Sequence, residues 1–267
     1  MRMSWKIGRV AGIDLYLHAT FLLLLAYGAF RGVDVLLLVS AVFGCVVLHE
    51  LGHALTARLY GIPTRDITLY PIGGIARLER MPRAPGAEFL ITLAGPLVNV
   101  AIAAILAIAL RLAGMAQPGS MDSEVAGFFS QLMWVNVVLA VFNMIPAFPM
   151  DGGRILRALL TLPLGRYRAT QIAANLGRIV AIAFPIMMSW LGAFSILNLF
   201  LAVFLFAAAT SELALARAEE DERNGWGNGG GIRTAPAGYR WVSQGNGLWQ
   251  LSPIVVQQNS RGPRQWS

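Results

Sequence analysis

The chain has 267 residues, 56% of them hydrophobic and 13% charged, with a mean hydropathy of +0.60 and a net charge of +7. Soluble domains carry about a quarter charged residues, so this composition excludes an ordinary water-soluble enzyme and places the chain among integral membrane proteins. A single cysteine, Cys45, excludes an intrachain disulfide and a cysteine metal cluster, and basic residues scattered along the chain exclude a nucleic-acid-binding tail.

Lys6 to His18, "KIGRVAGIDLYLH", alternates and is punctuated by glycine, which predicts strand–turn–strand. The basic residues Arg2, Lys6 and Arg9 precede an apolar stretch that no small-residue cleavage signal follows, so an uncleaved first span is expected. Apolar runs then cover Leu15–Phe30, Val35–Ala57 (broken only by "HELGH"), Phe89–Leu110 and Val125–Met150. Each is near the ~20 residues a helix needs to cross ~30 Å of hydrocarbon. Between the second and third, Arg65–Arg80, "RDITLYPIGGIARLER", again reads as strand–turn–strand. The uncharged run Ile179–Ser211 is too long for one span. Pro185 and the segment Ser189–Phe194 divide it into a pair of helices, the first beginning near Ala169, with Arg178 snorkelling at one end.

Six spans sort the basic residues by side. Arg2, Lys6, Arg9, Arg58, Arg65, Arg77, Arg80, Arg83, Arg154, Arg157, Arg166, Arg168, Arg178 and six in the tail share the face of the N-terminus; only Arg31 and Arg111 oppose them. This positive-inside asymmetry predicts a multi-pass protein of the cell (inner) membrane with both termini cytoplasmic. The expected fold is all-α and polytopic: six transmembrane helices with a small membrane-associated β-sheet on the cytoplasmic side. Residues 1–17 form the N-terminal strand segment, 18–215 the membrane domain, and 216–267 a flexible cytoplasmic tail. Polar, glycine-rich "EEDERNGWGNGGGIRTAPAG" reads as a linker, and Tyr239–Val256 as one short hairpin.

His49 and His53 are four residues apart and project from one face of the second span, with Glu50 between them. This is the H-E-x-x-H arrangement, two imidazoles that hold zinc and a glutamate that activates water. On a soluble helix the match is only moderately specific. Inside a span, where each ionisable group costs at least ~2.5 kcal/mol at the bilayer centre, it marks a function. A catalytic zinc site takes a third protein ligand. Asp151 is the best candidate, because Pro146, Pro149, Gly152 and Gly153 unwind and turn the end of the fourth run at the depth of the HELGH group. His18 and Glu212 are the alternatives. Asn143 suits either a hydrogen bond to the reacting carbonyl or substrate backbone, or a structural bond between helices. Asn99 in "GPLVN" suits close helix packing, and Cys45 suits packing better than chemistry.

"HELGH", "LAGPLVN" (Leu93–Asn99) and "NMIPAFPMDGG" (Asn143–Gly153), in this order, resemble the site-2 protease family of intramembrane zinc metalloproteases. "LYPIGGIARL" and "FLFAAATSE" are also similar to that family, so the resemblance runs from about Lys6 to Glu212. Met150 stands where the family usually has leucine before the aspartate, an apolar exchange. The resemblance implies one Zn²⁺ per chain on His49, His53 and Asp151, with Glu50 as general base and Asn143 assisting. It implies hydrolysis of a peptide bond in or beside the transmembrane segment of a single-span substrate, such as an anti-sigma factor. A helical substrate hides its scissile carbonyl, so Ile72, Gly73 and Gly74 are expected to hold the unwound piece as an added strand. Many six-span relatives carry CBS domains after the last helix and others an outward PDZ domain; the short tail and the Arg111–Glu124 loop have room for neither. Partners are thus a membrane substrate and the bilayer, with no nucleic acid, and homo-oligomer formation stays open. Two rival readings fit less well. A CAAX-type protease needs a later intramembrane glutamate that is missing here, and a zinc-binding scaffold derived from a protease would not require Glu50.

Overall fold

The computed structural model describes residues 4–71, 73–79, 82, 84–114, 124–227, 239–243 and 249–253. Strands β1 (Ser4–Val10) and β2 (Ile13–His18) form a hairpin, followed by helices α1 (Ala19–Arg31) and α2 (Val33–Leu59). A second hairpin, β3 (Thr64–Tyr70) and β4 (Gly73–Leu78), leads into α3 (Pro85–Leu112) and α4 (Glu124–Asn143). Then come α5 (Asp151–Leu164), α6 (Arg166–Trp190), α7 (Ile196–Gly227), β5 (Tyr239–Ser243) and β6 (Trp249–Pro253).

The first two hairpins join into one four-stranded sheet of order β1-β2-β3-β4, with β2 and β3 parallel and the other pairs antiparallel. Because β2 and β3 run parallel, the α1–α2 excursion leaves at one end of the sheet and returns at the opposite end. The sheet seats on the last third of α2: Ile13, Leu15 and Ile67 pack on Leu51 and Ala54 in one buried cluster. Apolar alternation therefore works here as a strand signal, each second side chain facing the helix.

Five helices are long and apolar enough to cross a membrane: α2, α3, α4, α6 and α7 over Ile196–Asp221. The expected first span is divided. Its leading residues, Leu15–His18, belong to β2, where Leu15–Leu17 pair with β3, and His18 caps α1 by accepting the Thr20 N–H at 3.3 Å. That leaves α1 thirteen residues, about 20 Å long against the ~30 Å of hydrocarbon. The expected fourth span is divided too. Its helix stops at Asn143, and residues 144–150 turn across α6, where the Phe148 N–H bonds the Ala173 carbonyl at 3.2 Å. Gly177 makes that crossing feasible, since a Cβ there would collide with the Phe148 carbonyl. The last pair of helices begins at Arg166 rather than near Ala169.

By chain contacts the molecule divides into two compact units, Met1–Arg217 and Ala218–Ser267. The expected flexible linker is corrected at its start: α7 continues through Gly227, its Glu219–Arg223 stretch being rich in helix-favouring residues. In the second unit β5 and β6 pair antiparallel, Trp241 opposite Leu251.

A candidate metal centre at the end of α2

The four-residue spacing of His49 and His53 puts both imidazoles on the α2 face that meets α3. The contact is close because each helix turns a glycine toward the other there. A Cβ on Gly52 would sit 2.9 Å from both the Ala94 carbonyl oxygen and Val98 Cγ2, and one on Gly95 would collide with the His53 ring. Pro96, next in α3, cannot bond the Thr92 carbonyl four residues back. One turn of α3 earlier, the Ile91 carbonyl accepts the His53 Nδ1–H at 2.8 Å. That bond fixes the tautomer and leaves Nε2 facing inward.

Asp151, the first residue of α5, completes the group. His49 Nε2 and His53 Nε2 are 3.1 Å apart, and Asp151 Oδ2 lies 3.2 and 3.3 Å from them. A tetrahedral zinc ion with bonds of about 2.0–2.1 Å has donor–donor edges of about 3.3–3.4 Å, so this triangle is one face of such a tetrahedron. The donor types fit as well: two imidazole nitrogens and a carboxylate oxygen, all largely shielded from water. Asp151 belongs to α5, outside the five long apolar helices. Burial raises its pKa, but the adjacent imidazoles of His49 and His53 outweigh that and hold the carboxyl well below the usual carboxylate range. The other two ligand candidates are engaged elsewhere. His18 stacks on Tyr70 at 4.8 Å and bonds Thr20, while Glu212 meets Arg157 at 3.4 Å.

Glu50 leaves the histidine face and meets β4. Its Oε2 accepts the Ala76 N–H at 3.3 Å. β4 is an outer strand of the sheet, so this N–H points away from β3 and along the free edge. Gly74 gives the strand its close approach: a Cβ there would lie 2.7 Å from Glu50 Cγ. Gly74 is thus beside Glu50, Gly73 opens the strand with nothing within 4 Å of where its Cβ would be, and Ile72 lies outside the described residues. Asn143 is half-buried at the end of α4, and among the described residues its side chain makes no hydrogen bond to His49, Glu50, His53 or Asp151.

Asn136 and Glu88 are further buried polar residues near the site that no sequence pattern marks. Asn136 of α4 is fully buried and donates to Cys45 Sγ at 3.3 Å and the Leu132 carbonyl at 2.9 Å. It accounts for Cys45 as a packing contact one turn before His49. Glu88 of α3 and Arg157 of α5 form a buried ion pair, joined by Arg166 and Glu212. Glu88 directly precedes the apolar run Phe89–Leu110, where a charge reads as an ordinary span terminus.

A model of peptidase family M50 matches residues 37–120 and 111–188, which contain the histidines, the glutamate and the aspartate. The chain belongs to that family, the site-2 proteases. Among solved structures, the site-2 protease from Methanocaldococcus jannaschii matches with a TM-score of 0.59 at 34% identity, covering 79% of this chain and 95% of that one. Zinc metalloprotease MJ0392 of the same organism is 34% identical over 233 residues, 84% of this chain and 65% of its own. Rip3 of Mycobacterium tuberculosis is 35% identical over 203 residues, 68% of this chain and 50% of its own. The M50 chain described here therefore spans between half and two thirds of the length of these two relatives. Its family and its apolar helices make it a multi-pass membrane protein, and the zinc named for MJ0392 is a metal that the triad of His49, His53 and Asp151 fits.

Proposed function

We propose that this M50 protein is an intramembrane zinc endopeptidase that cuts single-span membrane proteins. The observation that carries the reading is the 3.1–3.3 Å triangle of His49, His53 and Asp151 with Glu50 beside it. His49 Nε2, His53 Nε2 and Asp151 Oδ2 would hold the ion. A bound zinc ion supplies Lewis-acid polarisation of the scissile carbonyl and a more acidic water. Glu50 takes the proton of the attacking water on a carboxylate oxygen and delivers it to the leaving amine. Asn143 donates a hydrogen bond to the developing oxyanion or to the flanking substrate backbone.

Ile72, Gly73 and Gly74 receive the substrate. Its helix unwinds and adds as a strand along the free edge of β4, which the Ala76 N–H direction supports. This places the scissile carbonyl next to Glu50. A single-span anti-sigma factor is one substrate of the right form.

Six crossings remain our reading, the first made by β2 and α1 together. β2 and α1 contribute about 20 Å each, which equals the ~40 Å that the 27 residues of α2 descend. With an even number of crossings, the arginine distribution supports both termini and the sheet edge on the cytoplasmic side of the inner membrane. The test is cleavage of a single-span reporter in proteoliposomes by the wild-type chain and Glu50→Gln. Wild-type cleavage abolished by chelator, with Glu50→Gln slower by about 10²–10⁴-fold at full zinc, is expected. A Glu50→Gln rate equal to wild type would refute the assignment.

A further inference from the structure

Arg157 lies six residues beyond Asp151 on α5, about 9 Å along the helix. Its guanidinium pairs with Glu88 through Nε at 2.7 Å and through Nη2, and both side chains are at most 5% exposed. Nη1 reaches Glu212 of α7 at 3.4 Å, and Arg166 of α6 meets the other Glu88 oxygen at 3.1 Å. Two acids and two bases thus close one neutral cluster across four helices. The face of the same guanidinium lies 4.9 Å from the Phe148 ring, in the turn that delivers Asp151.

Glu88 stands three residues before Ile91 in α3, the residue whose carbonyl fixes the His53 ring. One short stretch of α3 therefore contacts both halves of the metal centre: Ile91 holds a ligand of α2, and Glu88 holds the helix that begins with the ligand Asp151. α5 is only 14 residues long, and its N-cap, Met150, makes no side-chain cap bond. Gly152 and Gly153 pack against the backbone of residues 144–148, which fixes α5 to its own preceding turn rather than to the histidines. Among the described residues, the ion pair with Glu88 is the polar link that registers α5 against α3.

We propose that the buried Glu88–Arg157 pair is the positioning device for the third metal ligand: by registering α5 on the α3 segment that orients His53, it sets the affinity of the site for its metal. The proposal rests on the zinc reading above. Partners that orient metal ligands typically change metal affinity by about 10–100-fold when removed. A pair that merely stiffened the helix bundle would change thermal stability without acting through Asp151.

The test is zinc affinity of the full chain in detergent, by competition with a chromophoric chelator, with elution profile and helical circular dichroism recorded for each variant. Glu88→Gln and Arg157→Lys are compared with the paired variant Glu88→Gln/Arg157→Met, which removes the ion pair without leaving one partner charged and buried. Arg178→Met, which severs a polar contact between α6 and α7 instead, is the control. Folded variants lacking the pair should bind zinc about 10–100-fold more weakly, and their Co²⁺ forms should lose intensity in the tetrahedral d–d band. In an Asp151→Asn background, Glu88→Gln should change zinc affinity by about twofold or less, since its effect passes through the absent ligand. Wild-type affinity in the folded paired variant, or a full additive loss in the Asp151→Asn background, would overturn the proposal. A wild-type chain that binds no zinc would overturn the reading of the site itself, so the two failures are separate.

Discussion

Gly74→Ala separates the general base from the metal ligands. An added Cβ would stand 2.7 Å from Glu50 Cγ and 3.2 Å from Val46 Cγ1. Carbon atoms rest at about 3.5–4.0 Å, so β4 and Glu50 must part by about 1 Å. The Gly74 backbone is not in the left-handed region, so the change adds no conformational strain. The displacement falls on the 3.3 Å bond from the Ala76 N–H to Glu50 and on the strand edge beside it. A misplacement of 1 Å at a reacting centre can cost about 10²-fold in rate. No ligand lies on β4, so the zinc content should stay at the wild-type value. The assay pairs metal analysis of the purified chain with the initial rate of single-span reporter cleavage in proteoliposomes. Wild-type cleavage by Gly74→Ala would refute the placement of Glu50 under β4, and loss of zinc would show that the strand supports the ligands instead.

Gly95→Ala should do the reverse, since its Cβ would collide with the His53 ring and approach His49 Cε1 at 2.8 Å. Zinc content and cleavage should fall together, and full zinc occupancy in this variant would contradict the described packing of α3 on the imidazoles. Gly73→Ala meets open space but a φ of 141°, so it should lower thermal stability by about 1–3 kcal/mol, measured by thermal unfolding in detergent. Asn143→Ala should keep zinc and slow cleavage by about 10²-fold if the side chain donates to the developing oxyanion; an unchanged rate in the reporter assay would return Asn143 to a purely structural role.

The legible parts of this molecule are those encoded locally. The spacing of His49, Glu50 and His53 lies within a little over one helical turn, and periodicity alone fixes which side chains share a face. Asp151 was legible because few ionisable residues lie in or beside the apolar runs, and two prolines and two glycines marked a turn before a ligand rather than a continuing span. The strands also announced themselves by alternation. What stayed hidden was non-local. Ile13–His18 was legible as a strand, but its parallel pairing with β3, some fifty residues on, was not. The prolines announced the turn at 144–150, but its seat on α6, where Ala173 and Gly177 receive Phe148, is something no short-range pattern shows. Glu88 and Arg157 sit 69 residues apart, and nothing in either neighbourhood predicts their pairing.

The most direct test of the central claim is the zinc content of the purified wild-type chain beside Asp151→Ala. The account predicts about one zinc per wild-type chain, largely lost on removing the carboxylate, with both proteins eluting as folded species. Zinc retained in full by Asp151→Ala, or none taken up by the wild type when metal is supplied, would contradict it.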